Sequence, residues 1–147
     1  MGSTDGKMRS QEALRVIRSI ADFQFGKGVG EALFPDDVQI VHSKRTGKIR
    51  YIYHEGSLLA TLRPNDGLFS LTVDGGKRIL EAGLASNMIV KVNNEASMHI
   101  KEGKNVFAKH VIYASEEIRP REEVLVIGED GNLIAVGRAV LNGREML

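Results

Sequence analysis

The chain has 147 residues, of which 42% are hydrophobic and 27% are charged, and its formal net charge is +1. This composition is typical of a globular protein with a packed core, and it excludes a chain that is disordered throughout. The absence of cysteine excludes disulfides, thiolate nucleophiles and cysteine-ligated zinc, and no apolar run approaches the ~20 residues of a membrane helix.

The N-terminal part of the chain begins with a polar stretch, residues 1–9, which we expect to be disordered. A first helix is predicted at residues 11–21, because Leu14, Ile17 and Ala21 recur at helical spacing.

A glycine-containing segment at residues 22–35 follows this helix. It lacks the lysine and serine or threonine pair of a Walker loop. We therefore interpret it as a bent linker that ends in a short apolar turn at 32–34.

Four short apolar runs, separated by turn residues, then predict an antiparallel meander. They occupy residues 38–43, 49–54, 58–63 and 68–72. Asp74 is the expected cap of a short helix that runs through residues 76–82. Residues 1–86 are therefore predicted to form an α+β N-terminal domain with a small antiparallel sheet.

The remaining residues, 87–147, contain several short strand-like runs and one helix. The predicted strands are 88–92, 106–113, 123–128 and 133–140, with a helix at 95–102 capped by Asn94. The Asp130-Gly131 pair is a strong hairpin signal between the last two strands. Many short strands with one inserted helix predict a small, partly closed barrel, and hence a second, mostly β domain.

The segment between this helix and the next strand combines cationic, amide and aromatic side chains. Gly103 is placed to end the helix with a left-handed backbone, and Lys104, Asn105, Phe107 and Lys109 follow closely. Such side chains can bind phosphates and bases. The alternative is an ordinary helix-to-strand connector with Phe107 in the core.

The second half resembles a PUA domain, the small RNA-binding pseudo-barrel of RNA-modifying enzymes. The resemblance is in the order of its elements and in the motifs EEVLV (122–126) and AVGRA (135–139). The first half is similar to the segment before the PUA domain in archaeal tRNA-guanine transglycosylases, the archaeosine enzymes. Its matching motifs are DFQFGKGVG (22–30), HSKRTGKIR (42–50) and LATLR (59–63). The fold implied is an α+β domain followed by a PUA pseudo-barrel.

The resemblance implies that the cleft beside the helix and the last strand holds the acceptor end of tRNA. The matching positions are Gly103, Lys104, Asn105, Val106, Phe107, Lys109, Gly137 and Arg138. Lys104 and Lys109 would bind phosphates, and Phe107 would stack on a 3′ base. For Arg138 the alternative is a solvated strand charge.

The family's catalytic (β/α)₈ barrel and cysteine-rich zinc site have no counterpart here. Cysteine is absent, and 147 residues fall well short of the ~250 typical of such a barrel. The resemblance therefore implies the RNA-binding portion of the enzyme without its catalytic aspartates, and neither a cofactor nor a metal is predicted.

A second candidate RNA-binding surface is the basic turn of the first predicted hairpin. It contains Lys44, Arg45, Lys48 and Arg50, and no acidic residue occurs between residues 38 and 54. Unopposed cations on a hairpin tip can bind the nucleic-acid backbone; the alternative is a surface that only favours solubility. The wider halves differ little in charge, with 12 basic against 10 acidic residues in 1–86 and 8 against 9 in 87–147.

Catalytic arrangements are weak in this sequence. The four histidines are scattered with no carboxylate at ligand spacing, although His42 and His54 could approach one another across the meander. Asp36 and Asp37 follow a proline and are interpreted as a turn.

The sequence thus predicts a cytoplasmic, non-catalytic RNA-binding protein, with tRNA as its ligand. It would act alone or supply RNA binding to a separately encoded tRNA-modifying enzyme. The alternatives are a ribosome- or protein-interaction module in translation, and an enzyme whose site is not apparent.

Overall fold

A computed structural model describes residues 10–101, 108–140 and 142–146. The chain divides into two compact units, Met1–Ala82 and Gly83–Leu147. No helix in the described ranges is long and apolar enough to cross a membrane.

The first unit is α+β, with three helices and four strands. These are α1 (Ser10–Phe25), α2 (Val29–Leu33), β1 (Gln39–His42), β2 (Ile49–His54), β3 (Ser57–Leu62), β4 (Phe69–Leu71) and α3 (Val73–Glu81). The strands form an antiparallel sheet in the order β1-β2-β3-β4. The predicted meander is therefore confirmed.

Helices pack against one face of this sheet, with α3 on β3 and β4 and α1 on β1 and β4. Helix α1 buries Ala13, Ile17, Ala21 and Phe25, which recur every four residues and so share one face. The helix extends four residues beyond its predicted end at Ala21, because Phe25 continues this apolar row.

The predicted linker at 22–35 is wrong at its start, which belongs to α1, and again where residues Val29–Leu33 form helix α2. Gly28 precedes it in the left-handed conformation, at φ 91°, which glycine adopts without a Cβ penalty. The backbone carbonyls at the end of α2 accept hydrogen bonds from side chains outside the helix. Arg18 donates to Phe34 O, at 2.9 Å from Nε and 2.7 Å from Nη2. Arg78 Nε donates to Ala32 O and Leu33 O, at 3.1 and 3.2 Å. Side chains distant in sequence therefore stabilise a helix of only five residues, one of which is glycine.

The predicted cap of α3 was also misplaced. Thr72, not Asp74, is the N-cap, and its Oγ1 accepts a hydrogen bond from Gly75 N at 3.1 Å. The same hydroxyl donates to carbonyls of β3, Leu58 O at 2.5 Å and Leu59 O at 3.1 Å. Asp74 lies inside the first turn of the helix, where its negative charge interacts favourably with the positive end of the helix dipole.

The second unit is mostly β. Its elements are β5 (Ile89–Val92), α4 (Asn94–Lys101), a 3₁₀ turn (Ala108–His110), β6 (Val111–Ala114), β7 (Glu123–Ile127) and β8 (Leu133–Arg138). The strands are ordered β6-β5-β7-β8. β5 and β7 pair in parallel, whereas the β7–β8 hairpin and the β5–β6 pair are antiparallel. Val92, Ala96, Ile118 and Val126 are among its buried core residues.

Two local predictions in this unit are corrected. The side chain that caps the first turn of α4 belongs to Asn93, whose Oδ1 accepts from Ala96 N at 2.8 Å, whereas Asn94 is the first helical residue. The strand predicted at 106–113 begins only at Val111, because Ala108–His110 form a 3₁₀ turn. Residues 106 and 107, like the predicted disordered stretch 1–9, lie outside the described residues.

Candidate nucleic-acid interface

Most of the predicted tRNA-binding turn lies outside the described residues: Gly103, Lys104, Asn105, Val106 and Phe107. Its two flanks are described. Helix α4 packs against β8 and leads into the turn, and exposed Lys109 follows it in the 3₁₀ turn. Asn93 N donates to His110 O at 3.0 Å. This bond joins Asn93, which precedes α4, to His110, which follows Lys109. It therefore fixes the backbone next to Lys109.

Gly137 and Arg138 lie on β8, an edge strand of the same sheet. A Cβ atom built on Gly137 would meet no atom of the described residues within 4 Å. Glycine at such a position permits close approach of another backbone. The geometry is therefore compatible with the predicted role of Gly137.

Arg138 is not an isolated surface charge. Its Nε lies 3.7 Å from Oε2 of Glu123, whose side chain is only 4% exposed, while the Arg138 side chain is 51% exposed. The pair follows from strand register, since Arg138 is directly opposite Glu123. Arg138 therefore balances a buried carboxylate, with a guanidinium that still reaches solvent.

The basic hairpin of the first unit is held in one conformation by bonds within its turn. Ser43 N donates to Lys48 O at 2.7 Å, and Gly47 N donates to Ser43 O at 2.8 Å. Gly47 adopts φ 75°, which favours glycine. The predicted cations Lys44, Arg45 and Lys48 are exposed on this ordered turn.

These three cations have no acidic partner among the residues that the structure describes. Other basic side chains of the same unit do: Arg18 contacts Asp36 at 3.0 Å, and Arg63 contacts Asp66 at 2.9 Å. Arg18 and Arg63 therefore serve the fold, whereas the hairpin presents uncompensated positive charge to solvent.

Sequence reasoning missed the aromatic residues beside this charge. Tyr51 and Tyr53 lie on β2 with ring centroids 6.5 Å apart, and the Arg50 guanidinium is 5.8 Å from the Tyr51 ring centroid. Two tyrosines at i and i+2, directly after a basic turn, were the sequence signal for this cluster.

The histidine predictions are partly wrong. His42 is opposite Ile49, whereas Tyr53, the residue before His54, is opposite Gln39. The two histidines therefore lie at opposite ends of the β1–β2 ladder and do not form a pair. The Nε2 atom of His42 is buried without a hydrogen-bond partner among the described residues.

Two carboxylates do lie beside His54, contrary to the expectation from spacing. Its Nε2 is 3.0 Å from Asp37 Oδ1 and 3.6 Å from Glu55 Oε1. One ligand atom from each of the three residues lies within 4.8 Å of the others. Asp37 and Glu55 are largely exposed, at 71% and 75%, and the hydrogen bond between Asp37 and His54 accounts for the contact.

Two protein-family models match the chain in series. Residues 15–83 match the patch-forming domain C2 of tRNA-guanine transglycosylase, and residues 88–147 match the PUA domain.

Similar proteins named tRNA-guanine(15) transglycosylase come from archaea. The one from Methanothermobacter thermautotrophicus is 43% identical over 131 residues, which are 89% of this chain and 20% of that protein. The one from Pyrococcus furiosus is 43% identical over 141 residues, 96% of this chain and 24% of that protein. The chain therefore spans about a fifth to a quarter of the length of these relatives, in their C-terminal, PUA-containing part.

Two solved structures share the fold. A hypothetical protein of Pyrococcus horikoshii OT3 has a TM-score of 0.64 at 19% identity, covering 95% of this chain and 83% of that one. A conserved PUA domain protein of Thermoplasma acidophilum has a TM-score of 0.63 at 19% identity, covering 95% and 82%. The predicted fold class, an α+β domain followed by a PUA pseudo-barrel, is confirmed.

Proposed function

We propose that the protein is an RNA-binding protein whose ligand is tRNA, because it pairs a match to the patch-forming C2 domain of tRNA-guanine transglycosylase with a match to the PUA domain. The observation that carries the proposal is this pairing: both domains occur here in series, as in the matched part of relatives named for a reaction on tRNA. The proposal places the protein in the cytoplasm.

In this proposal the protein does not itself catalyse a reaction. The matched region is a C-terminal fifth to a quarter of the transglycosylases, and no constellation of nucleophile, base and orienting group occurs among the residues described here. The protein would act alone on tRNA or supply RNA binding to a separately encoded modifying enzyme.

The exposed cations of the β1–β2 hairpin support a grip on the RNA backbone. Lys44, Arg45 and Lys48 are displayed on a rigid turn without acidic partners in the described part of the chain. Phosphate neutralisation supplies most sequence-independent binding free energy, and it makes the affinity depend on salt. A protein of net charge +1 can use this mechanism because its positive charge is concentrated locally.

The acceptor-end assignment is a finer part of the proposal. It places the 3′ end of tRNA at residues 103–107, Lys109, Gly137 and Arg138. The absence of any described atom within 4 Å of a Cβ on Gly137 and the solvent-reaching guanidinium of Arg138 support it. Shape and backbone contacts, rather than base sequence, would determine recognition.

Salt-dependent tRNA binding tests the proposal. We expect the double variant Lys44→Gln/Lys48→Gln to bind tRNA more weakly, with a plot of log K against log salt shallower by about 1.4 to 1.8, since each lost phosphate contact contributes about 0.7 to 0.9. The matched control is Lys27→Gln/Lys77→Gln, which removes two exposed lysines of the same unit away from the hairpin.

Two results would contradict parts of this proposal. If the unmodified protein shows no salt-sensitive affinity for tRNA, the proposed function is wrong. If tRNA without its 3′-terminal nucleotides binds as tightly as intact tRNA, RNA binding remains but the acceptor-end assignment is wrong.

A second candidate function, a protein-interaction module in translation, is favoured by one feature of the second unit. Ile112 and Tyr113 on edge strand β6 are each 50% exposed, and Met98 is 69% exposed. Affinity purification from the native organism, with Ile112→Ser as the comparison, would test it: a protein partner lost in this variant supports the module.

A further inference from the structure

The four-stranded sheet of the first unit has one face under its helices and one open face. Ile52, Ala60 and Phe69 are buried on the helical side. Strand register aligns Val41, Tyr51, Thr61 and Ser70 in one row across all four strands. Val41 and Tyr51 are 41% and 37% exposed, so this row belongs to the open face.

A β-bulge changes the direction of side chains on β2. Val41 is opposite Tyr51 and His42 is opposite Ile49, so Arg50 is the extra residue. Ile49 and Ile52 are consequently both buried, although residues three apart in a regular strand point to opposite faces. Bulges of this kind re-aim side chains, and this one leaves Tyr51 on the open face with Arg50 beside it.

Tyr51 and Tyr53 form an aromatic pair on this face. Their ring centroids are 6.5 Å apart with an interplanar angle of 52°, and the Arg50 guanidinium at 5.8 Å is within cation–π range of Tyr51. Tyr51 is exposed and Tyr53 is half-buried, and aromatic rings and arginine planes on a sheet surface are the groups on which unpaired bases stack.

Charge on this hairpin is complementary to nucleic acid. The exposed cations Lys44, Arg45 and Lys48 lie on the turn that joins β1 to β2, and residues 38–54 contain no acid. A strand of RNA with its phosphates on this turn would have its bases over the tyrosines. The combination of phosphate-binding cations and an aromatic surface is typical of single-stranded nucleic-acid binding.

We infer that the open face of this sheet, comprising Arg50, Tyr51 and Tyr53, is a second RNA site that stacks unpaired bases. The inference rests on the proposed function and deepens it, because it assigns unpaired nucleotides, rather than helical backbone, to the first unit. All three residues belong to the first unit.

Tyrosine fluorescence of the full chain provides a direct test. The chain has three tyrosines and no tryptophan. In the Tyr113→Phe variant, the tyrosine emission therefore comes from Tyr51 and Tyr53 alone. In this background we expect a single-stranded RNA 12-mer to quench the emission, and an abasic oligomer of the same length to bind without quenching.

Affinity measurements give a second readout. Tyr51→Leu and Tyr53→Leu, each retaining an apolar side chain, should weaken binding of the base-containing 12-mer by at least about fivefold, since stacking contributes about 1–3 kcal/mol per base. Neither should alter binding of the abasic oligomer. Phe23→Leu is the matched control: Phe23 is an aromatic side chain of the same unit, 85% exposed, on α1 rather than on the open face.

The outcomes separate this inference from the proposed function. If the tyrosine variants bind base-containing RNA as tightly as the parent, while tRNA binding remains salt-sensitive, the stacking site is wrong and the proposed function stands. If base-containing and abasic oligomers bind and quench equally, the inference is also overturned, because the quenching would then come from the sugar-phosphate backbone and not from stacked bases. If no RNA binds at all, both are wrong.

Discussion

Replacing Gly75 by alanine tests how closely α3 packs on the sheet that carries the open face. A Cβ atom at this position would clash with Leu59 O and would lie 3.1 Å from Leu59 C and 3.4 Å from Leu33 Cδ1. The Leu59 carbonyl is itself fixed, because it accepts hydrogen bonds from Thr72 N at 3.0 Å and Thr72 Oγ1 at 3.1 Å. The helix or the strand must therefore move when the methyl group is added.

The size of this effect follows from the distances. Leu59 O and Leu59 C would both be closer to the added Cβ atom than ordinary contact, which begins near 3.4 Å, so the backbone must shift. Overpacking of this kind costs about 1–3 kcal/mol, and strained hydrogen bonds to Leu59 O add up to about 1 kcal/mol each. The opposing gain in helix propensity is about 1 kcal/mol. These terms span about 0–4 kcal/mol, and we expect Gly75→Ala to lower the free energy of unfolding by about 2 kcal/mol.

Thermal and urea unfolding followed by circular dichroism would measure this change. A loss of 1 kcal/mol lowers the midpoint by roughly 4–8 °C for a domain of this size. Lys77→Ala, on the exposed side of the same helix, is the control and should be close to neutral. If Gly75→Ala is as stable as the parent or more stable, the close packing of α3 on β3 is refuted.

Two further substitutions test local features of the same unit. Thr72→Ala should lower the free energy of unfolding by about 0.5–2 kcal/mol, because it removes the cap on Gly75 N. In urea titrations, Asp74→Ala should lower the free energy of unfolding by less than half as much. Equal losses would contradict the assignment of Thr72 as the cap. His42→Leu should leave the free energy of unfolding unchanged or raise it by up to about 1 kcal/mol, because it removes a buried Nε2 that has no hydrogen-bond partner in the described ranges. A loss above about 1 kcal/mol would show that this nitrogen does make a hydrogen bond.

The strands of the first unit were predictable because their signals are local. Alternating apolar residues and glycine turns specify each hairpin, and β2 coincides with its predicted range, Ile49–His54. Helix α2 was not predictable in the same way. Its sequence contains glycine and it is only five residues long, and its stability depends on Arg18 and Arg78, which approach from distant parts of the chain.

The candidate interface was predictable where it depends on charge and not where it depends on geometry. The cations of the β1–β2 turn are evident from residues 44–48 alone. The exposure of Tyr51 follows from strand register, which pairs Tyr51 with Val41 and Thr61, whereas the bulge at Arg50 brings Ile49 to the buried face. An uninterrupted strand would not bury both Ile49 and Ile52, so the alternation in the sequence does not by itself identify the open face.

The small net charge of the chain is consistent with RNA binding because its charges have different tasks. Arg18 and Arg63 are held by Asp36 and Asp66, and Arg138 balances the buried Glu123. These arginines are neutralised by acidic partners. The cations of the basic turn at residues 44–48 are contacted by no acid in the described part of the chain. A phosphate approaching the first unit therefore interacts with a local excess of positive charge, although the whole chain carries only +1. It follows that neutralising two lysines of this turn should change the salt dependence of RNA binding far more than neutralising any two lysines elsewhere in the unit.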